Sequence, residues 1–356
     1  MALGSAACLL GLLSITAPEG HGTAERGGPI LRADIEAAAR YSAQHQGLAL
    51  LVWRHKMLFE RYDNGAKRGD KNKIYSVVKS VWGLAAAVAV EEGILSWDEK
   101  VAATLTEWAD DPRKSQVTVA HLLSMSSGID PGYLLIDDDK TLDKLSPAVG
   151  LPALSEPCAV FTYGPANMSL FGELLRRKLK ARSTTPMRFL STRVLSRLGI
   201  EDWALDKAGN PMMASGVTLE ARQLLAIGRA FLDGTGQRGR PIVKPATLEA
   251  FEEGSPANAM YSRALWRNTK ASDPEAVEVE VEQVLGTDFA GWDQGCFSRA
   301  APADLLVLLG SYNQRVYVVP SLDLVVVRQG KGTDFKDAEF LRLLFGGERP
   351  PEPRAE

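Results

Sequence analysis

The sequence predicts an α+β fold in which both ends of the chain build one antiparallel sheet, flanked by helices, with a mainly helical lobe inserted. Three observations carry that expectation. Residues 47–62, GLALLVWRHKMLFERY, are two β-prone runs on either side of Arg54-His55-Lys56, the pattern of a hairpin. Residues 315–328, RVYVVPSLDLVVVR, repeat it late in the chain, with a turn over 320–323 between β-branched runs. Between these hairpins the apolar spacing is largely helical, and strands gathered at two ends with helices between suit a sheet closed by both.

Along the chain, residues 2–15 are apolar and are followed by a small, polar stretch. That run is too short to span a bilayer and reads as a secretory signal, with Gly22 and Ala24 as small residues before a cut. No Lys or Arg precedes it, so the usual basic start of a signal is missing. Residues 1–28 are therefore expected to be a signal or disordered segment and the protein to be exported, periplasmic or secreted, with the cytoplasm as the alternative. Residues 29–346 are expected to form one domain of two lobes, and the Pro-rich tail 347–356 to be disordered.

In the first hairpin His55 is an exposed turn residue. The segment after Ser76, VVKSVWGLAAAVAVEEGIL, has almost no polar face and predicts a helix buried on most sides. Residues 95–105 and 118–128 read as short helices, Gly128 being a helix stop. Residues 130–160 are loop-rich, and Asp137-Asp138-Asp139 is a solvated acidic turn without the spacing of a calcium loop. Periodicity places helices over 167–180, 184–198 and 219–232, and Arg176-Arg177-Lys178 suits the negative end of the first. AVEVEVEQV at 276–284 alternates strictly, as a strand with one wet face would.

Composition excludes several classes. With 356 residues, 45% hydrophobic, 24% charged and a net charge of −3, the chain is an ordinary folded protein. It gives no electrostatic reason to bind nucleic acid or an anionic membrane. Three cysteines without a CxxC pair exclude a zinc ribbon, leaving a Cys158–Cys296 bridge open in an exported protein. Four histidines without HExxH or clustered spacing give no catalytic metal, and no cofactor is expected. The GxGxxG match at 234–239 follows a helix and is trailed by Pro241, so it is a turn and not a dinucleotide loop. There is no GxSxG elbow, and His121 in VAHLLSMSSG is expected to hold its helix by hydrogen bonds.

Chemistry enters at YSVVKS, residues 75–80. A lysine in the first turn of so apolar a helix is costly unless it is paired or its pKa is shifted. Ser76 lies three positions before Lys79, so the two share a helix face, about 5–6 Å apart at Cβ. A serine at a helix N-terminus has a free N–H and a favourable dipole, and a lysine held among apolar groups could take its proton. The plainer alternative is an N-cap serine beside a snorkelling lysine.

Four segments in fixed order decide between these: YSVVKS with its buried helix, TVAHLLSMSSGID, FTYGPANMSLFGELL and QRVYVVPSLDLVVVR. Together they resemble the serine β-lactamase-related superfamily over roughly residues 30–345. The likeness is greatest to class C β-lactamase-like enzymes, family VIII carboxylesterases and 6-aminohexanoate-dimer hydrolases. The resemblance implies the β-lactamase/DD-peptidase-like fold. It makes Ser76 the nucleophile of an SxxK motif, Lys79 its proton acceptor, and Tyr163 the phenolic base or acid that works with Lys79.

The family's Tyr-x-Asn becomes Tyr163-Gly164-Pro165 here, and a proline cannot replace the asparagine amide. Asn167 offers an amide two residues on, but is expected to start or cap the following helix. The family's Lys-Thr-Gly strand corresponds to Leu308-Leu309-Gly310. Gly310 would let substrate backbone approach, Ser311 would give the second oxyanion N–H beside that of Ser76, and Tyr312 would border the substrate. Leu308 stands where the family's lysine would meet a carboxylate.

The expected function is hydrolysis of small esters or amides through an acyl-enzyme. The alternatives are a true β-lactamase or D-alanyl-D-alanine peptidase and, from another class, an inactive binding protein. The partner expected is a small-molecule ester or amide, with no nucleic acid and no metal.

Overall fold

In the computed structural model the described residues are 32–136, 140–287 and 289–346. The apolar N-terminal segment, the acidic triplet 137–139 and the tail from 347 lie outside them. Seven strands form the main sheet: β1 (Gly47–Arg54), β2 (Lys56–Tyr62), β3 (Tyr261–Ser262), β4 (Leu265–Arg267), β5 (Leu306–Gly310), β6 (Gln314–Val319) and β7 (Leu324–Gly330). Their order is β2-β1-β7-β6-β5-β4-β3, and every neighbouring pair is antiparallel. The principal helices are α1 (Arg32–Gln44), α2 (Val77–Glu91), α3 (Val119–Leu123), α4 (Ala166–Lys180), α5 (Ala221–Asp233) and α6 (Asp337–Phe345).

Both hairpins form as the sequence predicts. His55, left-handed at φ 57°, turns the first, and Asp323 at φ 50° closes the second behind a single turn at Pro320–Leu322. The two hairpins meet where β1 pairs with β7, from Gly47 opposite Gly330 to Arg54 opposite Leu324. The sheet is thus closed by both ends of the chain. β3 and β4 add a rim that no periodicity announced, because two or three residues are too few to show a period.

Alternation separates the faces of β6 and β7. Val316 lies beside Val327 and Val318 beside Val325, on the face covered by α5. A Cβ at Gly228 of α5 would stand 2.5 Å from Val325 Cγ1, so glycine there sets how close helix and sheet come. The register places Arg315, Tyr317, Val326 and Arg328 on the opposite face, where α1 and α6 pack together. The Arg315 guanidinium is paired with Asp337 at the start of α6. Arg328 donates to the carbonyls of Asn313 and His45 and to Ser42 Oγ, and its guanidinium lies 3.9 Å from the centroid of Phe335.

Two expectations are corrected and one open possibility is closed. The helix after Val117 stops at Leu123, where the chain turns through Ser124 and Met125; Gly128, left-handed at φ 76°, is instead where Ser155 passes, a Cβ there meeting its carbonyl oxygen at 2.2 Å. Residues 276–284 form only a two-residue strand, Val277–Glu278, and then a single helical turn, Val281–Val284. Their glutamates do not form a wet face, because each has its own partners: Arg342 for Glu278, the Asp337 and Ala338 N–H groups for Glu280, and the turn after β5 for Glu282. Finally, Cys158 and Cys296 are both free thiols, so they do not bridge; burial pushes the Cys296 thiol up to about 12.

Candidate active site

Ser76 is the N-cap of α2, and its hydroxyl makes no capping bond, which leaves Oγ for other partners. Tyr75 before it is left-handed at φ 47°, a conformation costing a tyrosine about 1–2 kcal/mol. Its ring packs 5.0 Å from that of Tyr312, so the entry to α2 is held against the turn that follows β5.

Lys79 is only 4% exposed. Its Nζ donates to Ser76 Oγ at 2.8 Å and to the Ala214 carbonyl at 3.1 Å, and lies 4.8 Å from the centroid of the Tyr163 ring. These contacts answer the question posed by a lysine in this helix: the amine is surrounded by groups that accept or stabilise its N–H bonds. The segment carrying Ala214 is fixed because the Trp82 and Trp203 indoles both donate to the Met212 carbonyl.

Tyr163 reaches the same point from the opposite wall. Its side chain hydrogen-bonds Ser76, and burial pushes the phenol well above its usual range despite that bond. The backbone around it is pinned: the Thr162 N–H donates to the Met125 carbonyl and the Tyr133 hydroxyl to the Tyr163 carbonyl. Asn167 lies in the first turn of α4, but Pro165 is the N-cap. The Asn167 side chain is fully buried, accepts from Ser127 Oγ at 2.6 Å and donates to the Thr162 carbonyl. It braces the chain beside Tyr163 and does not stand in for the amide missing at Pro165.

The third wall is the β5–β6 turn. The ladder between β4 and β5 ends at Val307, so the strand beyond it presents an open edge. Leu309 lines the cavity, whereas Leu308 is fully buried. A Cβ at Gly310 would stand 2.2 Å from the Ile74 carbonyl, so this glycine lets β5 touch the segment that leads into Ser76. Tyr312 and Asn313 are both left-handed, at φ 58° and 60°, and their N–H groups donate to the two oxygens of Glu282. Among the described residues, neither the Ser76 N–H nor the Ser311 N–H has a protein acceptor.

These walls enclose a cavity of about 510 Å³ lined by Ser76, Lys79, Tyr163, Ser311 and Tyr312, with Tyr75, Tyr133, Ala214, Glu282 and Leu285 among its further contacts. Tyr133 comes from the loop-rich stretch 130–160, and Glu282 from the helical turn Val281–Val284. A larger cavity of about 790 Å³ lies near the C-terminal end of α4, but Arg176 and Arg177 there are paired with Glu173, and nucleophile, amine and phenol do not converge in it. His121 shares a capping box with Thr118, as expected. Ala214 and Glu282 are the site members that sequence reasoning missed. Neither has a local signature, since a carbonyl acceptor and a turn-capping carboxylate are defined only by what folds against them. No group of three or more His, Cys, Asp or Glu arranged to hold a metal ion occurs among the described residues.

Solved structures share this architecture. A family VIII carboxylesterase superposes with a TM-score of 0.62 at 14% identity, over 90% of this chain and 98% of that one. A penicillin-binding protein homologue from Caulobacter crescentus gives 0.61 at 14%, over 89% and 97%. A proposed 6-aminohexanoate-dimer hydrolase from Bacillus anthracis gives 0.64 at 15%, over 85% and 78%. At such identities the likeness is one of fold. No curated protein matches the chain by sequence. The sequence model of the family described as Beta-lactamase matches residues 32–339, and the chain therefore belongs to the β-lactamase family.

Proposed function

We propose that the protein is a serine hydrolase that acts through an acyl-enzyme on small esters or amides. The observation that carries this reading is the contact of Lys79 Nζ with Ser76 Oγ at 2.8 Å, with the Tyr163 phenol on the same hydroxyl. Ser76 Oγ attacks the acyl carbonyl while Lys79, in its neutral form, takes the proton. The burial that keeps Tyr163 protonated suits it to return a proton to the leaving group. The unpartnered N–H groups of Ser76 and Ser311 would hold the oxyanion, and water then releases the acyl group. Donors of that kind contribute about 10²–10³-fold each in hydrolases.

A true β-lactamase or D-alanyl-D-alanine peptidase is the second reading, which the family membership keeps in view. Against it stand Pro165, which has no side-chain amide, and Leu308, an apolar and fully buried side chain where the family's lysine would stand. An inactive binding protein would not need Ser76, Lys79 and Tyr163 in mutual contact. Treating the purified protein with a fluorophosphonate probe tests the proposal: a single adduct on Ser76 supports it. No labelling, together with no turnover of short-chain esters or amides, would return the chain to the binding class. Export remains part of the proposal, to be read from the fraction in which the native protein is found.

A further inference from the structure

The cavity around Ser76 carries a charge pattern that acyl transfer does not use. Four aromatic rings border it, from Tyr75, Tyr133, Tyr163 and Tyr312, and its charged side chains among the described residues are Lys79 and Glu282. Lys79 is directed at Ser76 and the Ala214 carbonyl. Glu282 is different: its side chain keeps 23% of its surface exposed while it lines the cavity. The Tyr312 N–H reaches Oε1 at 2.6 Å, while the Asn313 N–H and the Arg315 guanidinium reach Oε2.

Arg315 does not cancel this charge alone, because it also binds both oxygens of Asp337, and the Arg315 and Asp337 side chains are each only 1% exposed. One guanidinium thus serves two carboxylates. The group Glu282–Arg315–Asp337 carries net negative charge, and of its members Glu282 alone lines the cavity. Arg328, another buried cation of this region, bonds carbonyls, Ser42 and the Phe335 ring and, among the described residues, no carboxylate. Glu280 next to the cluster responds to the same surroundings: burial first, and then the charge of Asp337, push its carboxyl up to about 7.

A carboxylate that shares a cavity with aromatic rings favours a cation, since a ring face and the negative charge both attract it. Tyr312 and Tyr133 are 44% and 48% exposed and stand at the opening, and Leu285 and Leu309 offer apolar surface for an alkyl chain. Resting on the hydrolase reading above, we propose that the substrates carry a cationic ammonium group held by Glu282 Oε1 and the tyrosine rings, with the acyl carbonyl at Ser76. The protein would thus select acyl compounds of the charge opposite to that of a carboxylate-bearing β-lactam.

Pairs of esters that differ only by carbon in place of charged nitrogen test this. With the charge on the leaving group, butyrylthiocholine is compared with 3,3-dimethylbutyl thiobutyrate. With the charge on the acyl group, phenyl 6-(trimethylammonio)hexanoate is compared with phenyl 7,7-dimethyloctanoate. The wild type should show a kcat/KM ratio of about tenfold or more for the cation in at least one pair, the size expected of a partly desolvated cation–aromatic and ion-pair contact. That ratio should fall towards unity at 1 M salt and in Glu282→Gln, and persist in Glu282→Asp. Taking the ratio within each protein removes any general loss of activity, and the wild-type ratios decide alone should Glu282→Gln not fold. Ratios near unity in both pairs, or a ratio unchanged in a folded Glu282→Gln, overturn the proposal. If the wild type turns over none of the four esters, the hydrolase reading fails separately. Calorimetry with choline and 3,3-dimethylbutan-1-ol then decides: tighter choline binding that Glu282→Gln loses supports the cation site, and equal binding of the two overturns it.

Discussion

Lys79 Nζ lies 2.8 Å from Ser76 Oγ, one helical turn further along α2, and both face a cavity and not the core that surrounds the rest of that helix. Ser76→Ala removes the oxygen without disturbing the turn, since the hydroxyl makes no capping bond. The expected outcome is a loss of about 10³-fold or more in kcat with an unchanged melting temperature. Equal turnover of an ester by wild type and variant would remove Ser76 from the chemistry.

The same contact distinguishes a proton acceptor from a fixed positive charge. Arginine keeps the charge but cannot give up its proton. Lys79→Arg should therefore lose nearly as much activity as Lys79→Ala, measured on one substrate at several pH values. An arginine variant that retained most of its rate would make electrostatics the whole role of Lys79.

A preference among acyl compounds follows from Pro165 and from Leu308, which stands in place of the family's lysine. A site without the partners for an acylamide and a carboxylate gains little from binding those groups. A short-chain p-nitrophenyl ester should exceed a cephalosporin by about 100-fold in kcat/KM, or ~2.7 kcal/mol, after each is normalised to its uncatalysed hydrolysis. A normalised preference for the cephalosporin would reverse the substrate reading.

Gly310 is placed where a methyl group cannot fit, 2.2 Å from a backbone oxygen that cannot rotate away. Gly310→Ala should push β5 from the segment at Ile74, costing about 1–3 kcal/mol. It should also lower kcat more than it raises KM, because the Ser311 N–H shifts relative to Ser76. A drop in melting temperature with normal kcat would confine Gly310 to packing.

Much of this was legible because it is local. Helix α2 stands out by its lack of a polar face, the hairpins by β-branched runs around tight turns, and the Ser76–Lys79 pair by helical spacing. What was missed is non-local. In AVEVEVEQV the alternation suggested a strand, yet Glu278 binds Arg342, Glu280 caps the first N–H groups of α6, and Glu282 caps the turn after β5. Each glutamate answers to a different partner, and the segment bends to let all three reach. Tyr75 likewise adopts a left-handed backbone that its residue type does not suggest.

Glu280 yields a dependence of stability on pH. Its folded-state carboxyl is pushed up to about 7 from an ordinary 4.5, mainly by burial and then by Asp337, while Arg315 and two N–H bonds oppose the rise. Between those values the folded protein holds a proton that the unfolded chain releases, so stability should fall as pH rises from about 4.5 to 7. The change is on the order of 2–3 kcal/mol. Chemical denaturation at pH 5 and pH 8 should show it in the wild type, and Glu280→Gln should flatten it. An equal slope in both proteins would assign the dependence elsewhere.

The pairing of β1 with β7 bears on how the protein is made. Arg54 finds its partner Leu324 roughly 270 positions later. At about 5–20 residues per second on a ribosome, the first hairpin waits on the order of tens of seconds for that strand to emerge. Throughout that interval the run GLALLVW offers an apolar edge of unpaired backbone groups, the kind of template on which chains join one another. The sheet that carries Ser311 can close only after nearly the whole domain is synthesised, so the yield of folded protein will depend on what shields β1 until then.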